Sequence, residues 1–152
     1  MIDTFNQYKA ELEIHGPAGL ELLNKRVPHR FTAVYELSGK LLRNLFLYDK
    51  KGEVAPEYLQ VVPFDHSFCQ FVLRDGIFLT EDSAVDRRLD GHPYQGVMVS
   101  YHGVPLLDNQ SELFGTLCHF DVVSYQLPDV ELALLQRAAR ELPRYLSRSP
   151  AT

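Results

Sequence analysis

Two short apolar runs near the C-terminus constrain this chain most. They are Ser100-Tyr101-His102-Gly103-Val104-Pro105-Leu106 and Phe114-Gly115-Thr116-Leu117-Cys118-His119-Phe120-Asp121, separated by the polar segment Leu107-Asp108-Asn109-Gln110-Ser111-Glu112. β-formers on either side of turn residues read as an antiparallel hairpin. A second hairpin is expected upstream, where Phe31–Leu37 and Leu41–Tyr48 flank Ser38-Gly39.

Between the hairpins the pattern is irregular. Residues 53–66 carry Pro56 and Pro63 and show no period, so they read as a crossing loop with room for a short strand at Leu59–Val62. Ser67-Phe68-Cys69-Gln70 has the form of a capping box, and Asp75-Gly76 ends the helix that it opens. Ile77–Thr80 reads as a short strand, and Asp82 or Ser83 as the cap of a brief helix through Ala84, Val85 and Leu89.

Helices are expected at both ends. Ile2, Phe5, Tyr8 and Leu12 recur at helical spacing, as do Leu20, Leu23 and Val27 after the break at His15-Gly16-Pro17. Pro128 opens the last helix, Val130, Leu134, Leu135, Ala138 and Leu142 form its apolar stripe, and Pro143 ends or kinks it. The tail Ser147–Thr152 reads as frayed. This order implies an α+β layer fold: a mainly antiparallel sheet, terminal helices on one face and the crossing segment on the other.

The chain has 152 residues, 45% of them hydrophobic, which suits a single domain with a core of its own. Its formal charge of −5 argues against a nucleic-acid partner, which would need a basic surface. Arg137, Arg140, Arg144 and Arg148 read as the solvated face of the last helix rather than a phosphate site. With no long apolar run and no signal-peptide pattern, the expectation is a cytoplasmic protein without a membrane partner. Cys69 and Cys118 are too few for a structural zinc site and read as buried free thiols.

Taken in order, Ser67–Val72, Thr80–Arg88 and the two strands of the C-terminal hairpin, with its Gly-Val-Pro-Leu and Gly-Thr-Leu-Cys, resemble the GAF domain. GAF domains are small-molecule sensor modules of the PAS-like, profilin-like group. The resemblance spans about residues 18–146 and makes residues 1–152 one such domain, a stand-alone sensor of the bacterial signalling type or a fragment of something longer. It implies a sheet of about six antiparallel strands, a ligand cavity under the crossing helices, and terminal helices that pair in a homodimer and signal to a partner signalling protein.

A ligand pocket needs apolar walls and a few polar points. Phe64, Phe68, Val72, Val97 and Val99 are the candidate walls, with Cys69 beside them. Ser67, Asp82, Tyr101, His119 and Asp121 are the candidate polar points, and the helix starts at Ser67 and Asp82 could receive an anionic group. Each has a plainer reading. Ser67 and Asp82 suit helix caps, Asp121 an Asx turn, Tyr101 and His119 buried packing, and His92 an exposed loop position.

No motif names a catalyst, a metal or a cofactor, so the cofactor stays unknown. Among GAF relatives, free methionine-(R)-sulfoxide reductases stand alone and use cysteine thiolates, and Cys69 lies where they have one cysteine. The segment Arg87–Val99, where the resemblance would place the catalytic one, has none. Cys118-His119 resembles a bilin-attachment dipeptide but sits on the hairpin strand. The sequence thus points to a non-enzymatic ligand sensor. The alternatives are a thiol reductase and a ligand-free interaction module.

Overall fold

The computed structural model describes residues 3–146. Ile2, Arg148 and the tail 147–152 lie outside the described residues. The elements run α1 (Thr4–His15), α2 (Leu20–Asn24), β1 (Phe31–Ser38), β2 (Leu41–Asp49), α3 (Glu57–Gln60), β3 (Val61–Pro63), α4 (Cys69–Asp75), β4 (Phe78–Thr80), β5 (Ser100–Leu107), β6 (Leu113–Asp121) and α5 (Asp129–Glu141). The strands form one six-stranded sheet in the order β3-β2-β1-β6-β5-β4, antiparallel throughout. The α+β reading therefore holds. No helix among the described residues is long and apolar enough to cross a membrane.

Strand alternation sorts the side chains into two cores. On one face Val34, Leu117, Val104 and Leu106 meet Tyr8, Leu12, Leu20, Leu23, Leu134, Leu135, Ala138 and Leu142, so α1, α2 and α5 share that face. On the other, Ala33, Tyr35, Cys118, Phe120 and Tyr101 meet Leu59, Phe68, Cys69, Val72 and Met98 from the crossing segment. Val130, expected in the α5 stripe, is exposed instead. It lies in the first turn, beyond the part of α5 that packs on the sheet.

Two glycines of the C-terminal hairpin explain why its sequence is so constrained. A Cβ on Gly115 would stand 1.8 Å from the Tyr35 carbonyl oxygen, because β6 crosses β1 too closely there for any side chain. A Cβ on Gly103 would stand 2.7 Å from the Tyr101 ring, which folds back over that position.

The crossing segment is more regular at its start than the sequence suggests. One turn of α3 leads into β3, which pairs with β2 through Leu42↔Val62. Half of the expected capping box forms at α4: Ser67 Oγ accepts from the Gln70 N–H at 3.2 Å, but the Ser67 N–H bonds the Phe64 carbonyl, and the Gln70 side-chain amide donates to the Ser67 carbonyl at 2.7 Å instead. Gly76 closes the helix in the left-handed conformation, with φ 82°. The helix expected after Asp82 does not form. Only a 3-10 turn at Arg87–Leu89 appears, capped by Asp86, whose side chain accepts from the Arg88 N–H. Asp82 instead caps a tight turn, accepting from the Ala84 N–H at 3.0 Å.

Candidate functional site

A cavity of about 60 Å³ lies between the sheet and the α3–α4 segment. Its floor is Tyr35, Tyr101 and Phe120 from β1, β5 and β6, with Leu42 of β2. Its roof is Tyr58, Leu59, Val62, His66, Ser67, Phe68 and Cys69, and Tyr94 and Met98 close one side. Tyr58 and Tyr94 stack at 5.9 Å, and Tyr58 is partly open to solvent, which marks the mouth. Deeper in, Phe68 meets Tyr101 edge-on at 5.5 Å and His92 at 4.7 Å.

The deep polar atoms of this wall are already used. Tyr35 donates its hydroxyl to the Leu59 carbonyl at 2.7 Å. Ser67 donates to the Phe64 carbonyl at 2.7 Å while capping α4. Tyr101 Oη and Thr116 Oγ1 each lie 3.2 Å from Cys69 Sγ. His92 accepts from the Tyr94 N–H on Nδ1, so its Nε2–H donates to the Ser67 carbonyl at 3.2 Å. Burial pushes the His92 pKa down. His66, at the mouth, is the one side chain of the lining with a carboxylate partner, Asp65 at 3.9 Å. A guest in this space meets rings and sulfur rather than charge.

The structure brings together only part of the expected residue set. Ser67, Phe68, Cys69 and Tyr101 line the cavity. Phe64 packs beside it against the same core without lining it. Val72 is fully buried within that core. Val97 is half exposed and Val99 is not in the lining; Met98 takes their place. The reason is local: the Val97 and Met98 N–H groups both bond the Tyr94 carbonyl, a helical turn that rotates Met98 inward.

His119 and Asp121 lie elsewhere. Tyr101 pairs with Phe120 and His102 with His119, so Tyr101 and His119 project from opposite faces of the sheet. Asp121 Oδ2 accepts from the Arg30 N–H at 2.7 Å and Oδ1 from the Val123 N–H at 3.2 Å, an Asx turn that ends β6 and anchors the start of β1. No helix starts at Asp82, and the Gln70 N–H at the head of α4 is taken by Ser67, so neither offers the expected anion seat. Among the described residues no His, Cys, Asp and Glu group of three or more could hold a metal.

On the helix-side face His119 joins His29 and His102 in a buried cluster. His29 Nε2 and His102 Nδ1 are 2.9 Å apart. His119 Nδ1 and Thr32 Oγ1 are 2.6 Å apart. Lys50 donates to Asn24 Oδ1, and Asn24 Nδ2 donates to Thr32 Oγ1 at 2.8 Å, which leaves the Thr32 hydroxyl hydrogen for His119. Burial, helped by Lys50, lowers the His29 pKa to about 4. Burial and the neighbouring His29 lower that of His102 to about 3. His119 is pushed well below its ordinary value by burial, then by His29, His102 and Lys50. All three imidazoles are neutral near pH 7.

No protein-family model matches the chain, and no curated protein does. Solved structures do match it. The GAF domain from Acinetobacter phosphoenolpyruvate-protein phosphotransferase superposes with a TM-score of 0.73 at 13% identity, covering 95% of this chain and 94% of that one. The fold is that of a GAF domain. A GAF sensor protein from Burkholderia vietnamiensis gives 0.71 at 14% identity over 93% and 90% of the two chains. Free methionine-R-sulfoxide reductase from Neisseria meningitidis, in complex with its substrate, gives 0.71 at 16% over 93% and 85%. The GAF architecture thus hosts both sensors and reductases, and at these identities it assigns the fold alone.

Residues that sequence reasoning missed are chiefly aromatic. Tyr35, Tyr58, Tyr94 and Phe120 supply most of the cavity wall. Tyr58 and Tyr94 each sit in a stretch without periodicity, which leaves their direction unmarked in the sequence. Ser83 is a helix-cap candidate in the sequence. It is fully buried and ties the crossing segment to β5, donating to the Met98 carbonyl at 2.6 Å and accepting from the Gly96 N–H at 2.9 Å.

Proposed function

We propose that this chain is a ligand-sensing GAF module that binds a small, uncharged, largely apolar molecule in the cavity under α4. The observation that carries the reading is the wall itself: aromatic and aliphatic side chains throughout, with the deep hydroxyls bonded internally. An anion or a cation placed there would lose its hydration without gaining a counter-charge. The volume of about 60 Å³ takes only a few heavy atoms as it stands. Ligand sites for larger molecules run from roughly 300 Å³ upward, so a larger guest requires the Tyr58–Tyr94 pair to part. In this reading Ser67, Phe68, Cys69 and Tyr101 touch the ligand. A cytoplasmic homodimer passes occupancy through α1 and α5 to a partner signalling protein.

A thermal-shift series with indole, phenol, short-chain ketones, free amino acids and nucleotides tests this. A ligand that binds only the folded state adds about 2.7 kcal/mol at one hundred times its dissociation constant. Stabilisation by the uncharged aromatic or ketone probes and none by the nucleotides is the expected result. Stabilisation by charged probes alone refutes the chemistry, and no stabilisation by any favours the ligand-free interaction module.

The reductase reading rests on one feature, the Cys69 thiol under several donors in a cavity. Incubation with free methionine-(R)-sulfoxide and a dithiol reductant is expected to show no turnover. Turnover that disappears in Cys69→Ser makes the chain an oxidoreductase.

A further inference from the structure

Cys69 and Cys118 come from separate elements and share the core beneath the cavity wall. Cys118 projects from β6 on the same face as Thr116 and Phe120, while Cys69 opens α4 above it. Cys69 Sγ lies 3.2 Å from Thr116 Oγ1, which donates to it, and 3.2 Å from Tyr101 Oη. Cys118 stands two residues along β6 from Thr116, in the same core cluster as Cys69, and its S–H donates to the Ala33 carbonyl at 3.7 Å. Two hydroxyls therefore converge on a single sulfur, more polar contact than a packing cysteine needs. Only Cys69 of the two lines the cavity.

We propose that Cys69 and Cys118 form a reversible dithiol–disulfide pair that a small peroxide oxidises through the cavity, with Cys69 reacting first. A cavity of about 60 Å³ admits such an oxidant, since a single water needs about 10–15 Å³. In the first step an electron pair of Cys69 sulfur attacks one oxygen of hydrogen peroxide and the O–O bond breaks. The departing hydroxide takes the thiol proton and leaves as water, and Cys69 becomes a sulfenic acid. In the second, Cys118 sulfur attacks Cys69 sulfur, the S–O bond breaks, and the hydroxide leaves with the Cys118 proton as a second water. The two thiols lose two electrons and two protons to one peroxide, and α4 becomes tied to β6.

The division of roles follows from the surroundings. The neighbouring Cys118 thiol and the Thr116 and Tyr101 hydroxyls outweigh burial and hold the Cys69 thiol below its ordinary value, whereas burial pushes Cys118 up. Thiolate character and access both favour Cys69 as the attacking sulfur. Cys118 is left to resolve it.

The test treats the folded, reduced protein with hydrogen peroxide. The expected product has lost two hydrogens by intact mass, carries a Cys69–Cys118 link in its peptide map, stays intramolecular, and is restored by dithiothreitol. In Cys118→Ser the reaction should stop at a Cys69 sulfenic acid that dimedone traps, and Cys69→Ser should give no adduct. Should either serine variant misfold, Thr116→Val keeps both thiols and removes one donor. It is expected to slow peroxide oxidation about tenfold, the loss of roughly 1.4 kcal/mol of hydrogen bonding. Thiols that resist peroxide until the protein is unfolded, links only between chains, or an unchanged rate in Thr116→Val would each overturn the pair. The inference does not need a ligand in the cavity, so its failure and that of the sensing reading are separate results.

Discussion

Acidification should destabilise this protein steeply through three imidazoles that its fold keeps neutral. His29 and His102 are almost wholly buried, with pKa values of about 4 and about 3. In the unfolded chain both titrate near the ordinary value of about 6.5. Between those limits the unfolded state binds more protons than the folded one, so stability falls as pH falls. The loss begins near pH 6.5 and is complete only below the folded values. At pH 5 each site has passed about 1.5 pH units of this window, or about 2 kcal/mol, so the two together remove about 4 kcal/mol. His119 and His92 act in the same direction. Asp49 and Asp86, both lowered by arginine partners, respond at more acidic pH and leave this window to the histidines. Against a typical domain stability of about 5–15 kcal/mol, that is a large share.

The assay is urea unfolding at pH 7.5, 6.5, 5.5 and 5.0, with the imidazole C–H resonances followed by NMR over the same range. His29, His102 and His119 should keep constant shifts down to pH 5 while the unfolding midpoint drops. His29→Phe, which preserves the ring contacts to His102 and Tyr125, should reduce the slope by about one proton, or about 1.4 kcal/mol per pH unit. A flat stability between pH 7.5 and 5.0, or native resonances titrating near pH 6.5, would refute the reasoning.

Further outcomes are expected from single substitutions. Gly115→Ala forces a methyl carbon to within 1.8 Å of the Tyr35 carbonyl, so β1 and β6 must separate; a loss of about 3 kcal/mol or more is expected by urea unfolding. Gly103→Ala pushes the Tyr101 ring from its place and should cost about 1–3 kcal/mol while weakening any probe that the parent binds, read by thermal shift. Arg26 grips Glu131 through two bonds of 3.0 and 2.7 Å, joining the end of α2 to α5, and Arg26→Met should cost about 1–2 kcal/mol in chemical denaturation. The proposed homodimer should appear as a doubled mass in sedimentation at micromolar concentration; a monomer at every concentration removes it.

Periodicity and turn chemistry made most of the elements legible. The two hairpins, the capped α4 with its terminal Gly76 and the amphipathic α5 follow from interactions within a few residues of one another, and such interactions are written along the chain. The apolar stripes of α1 and α5 likewise announced a shared sheet face. Face and register are different in kind. A strand alternates with period two, so whether Tyr101 or His102 looks into the cavity depends on which residues of β6 stand opposite, and only pairing fixes that. That is why the sequence groups His119 with Tyr101 although the sheet separates them. The crossing segment has little period of its own, and its contacts decide its shape. The turn on the Tyr94 carbonyl brings Met98 inward, and Ser83 ties the segment down from the far side of the loop. The meeting of Cys69 with Cys118, and of His29 with His102, joins residues far apart in sequence. Sequence by itself determined which segments are helix or strand and which faces are greasy, because those are local matters of backbone and hydration. Tertiary structure alone decided which polar side chains share a dry interior, because that depends on the distances left once the sheet has closed.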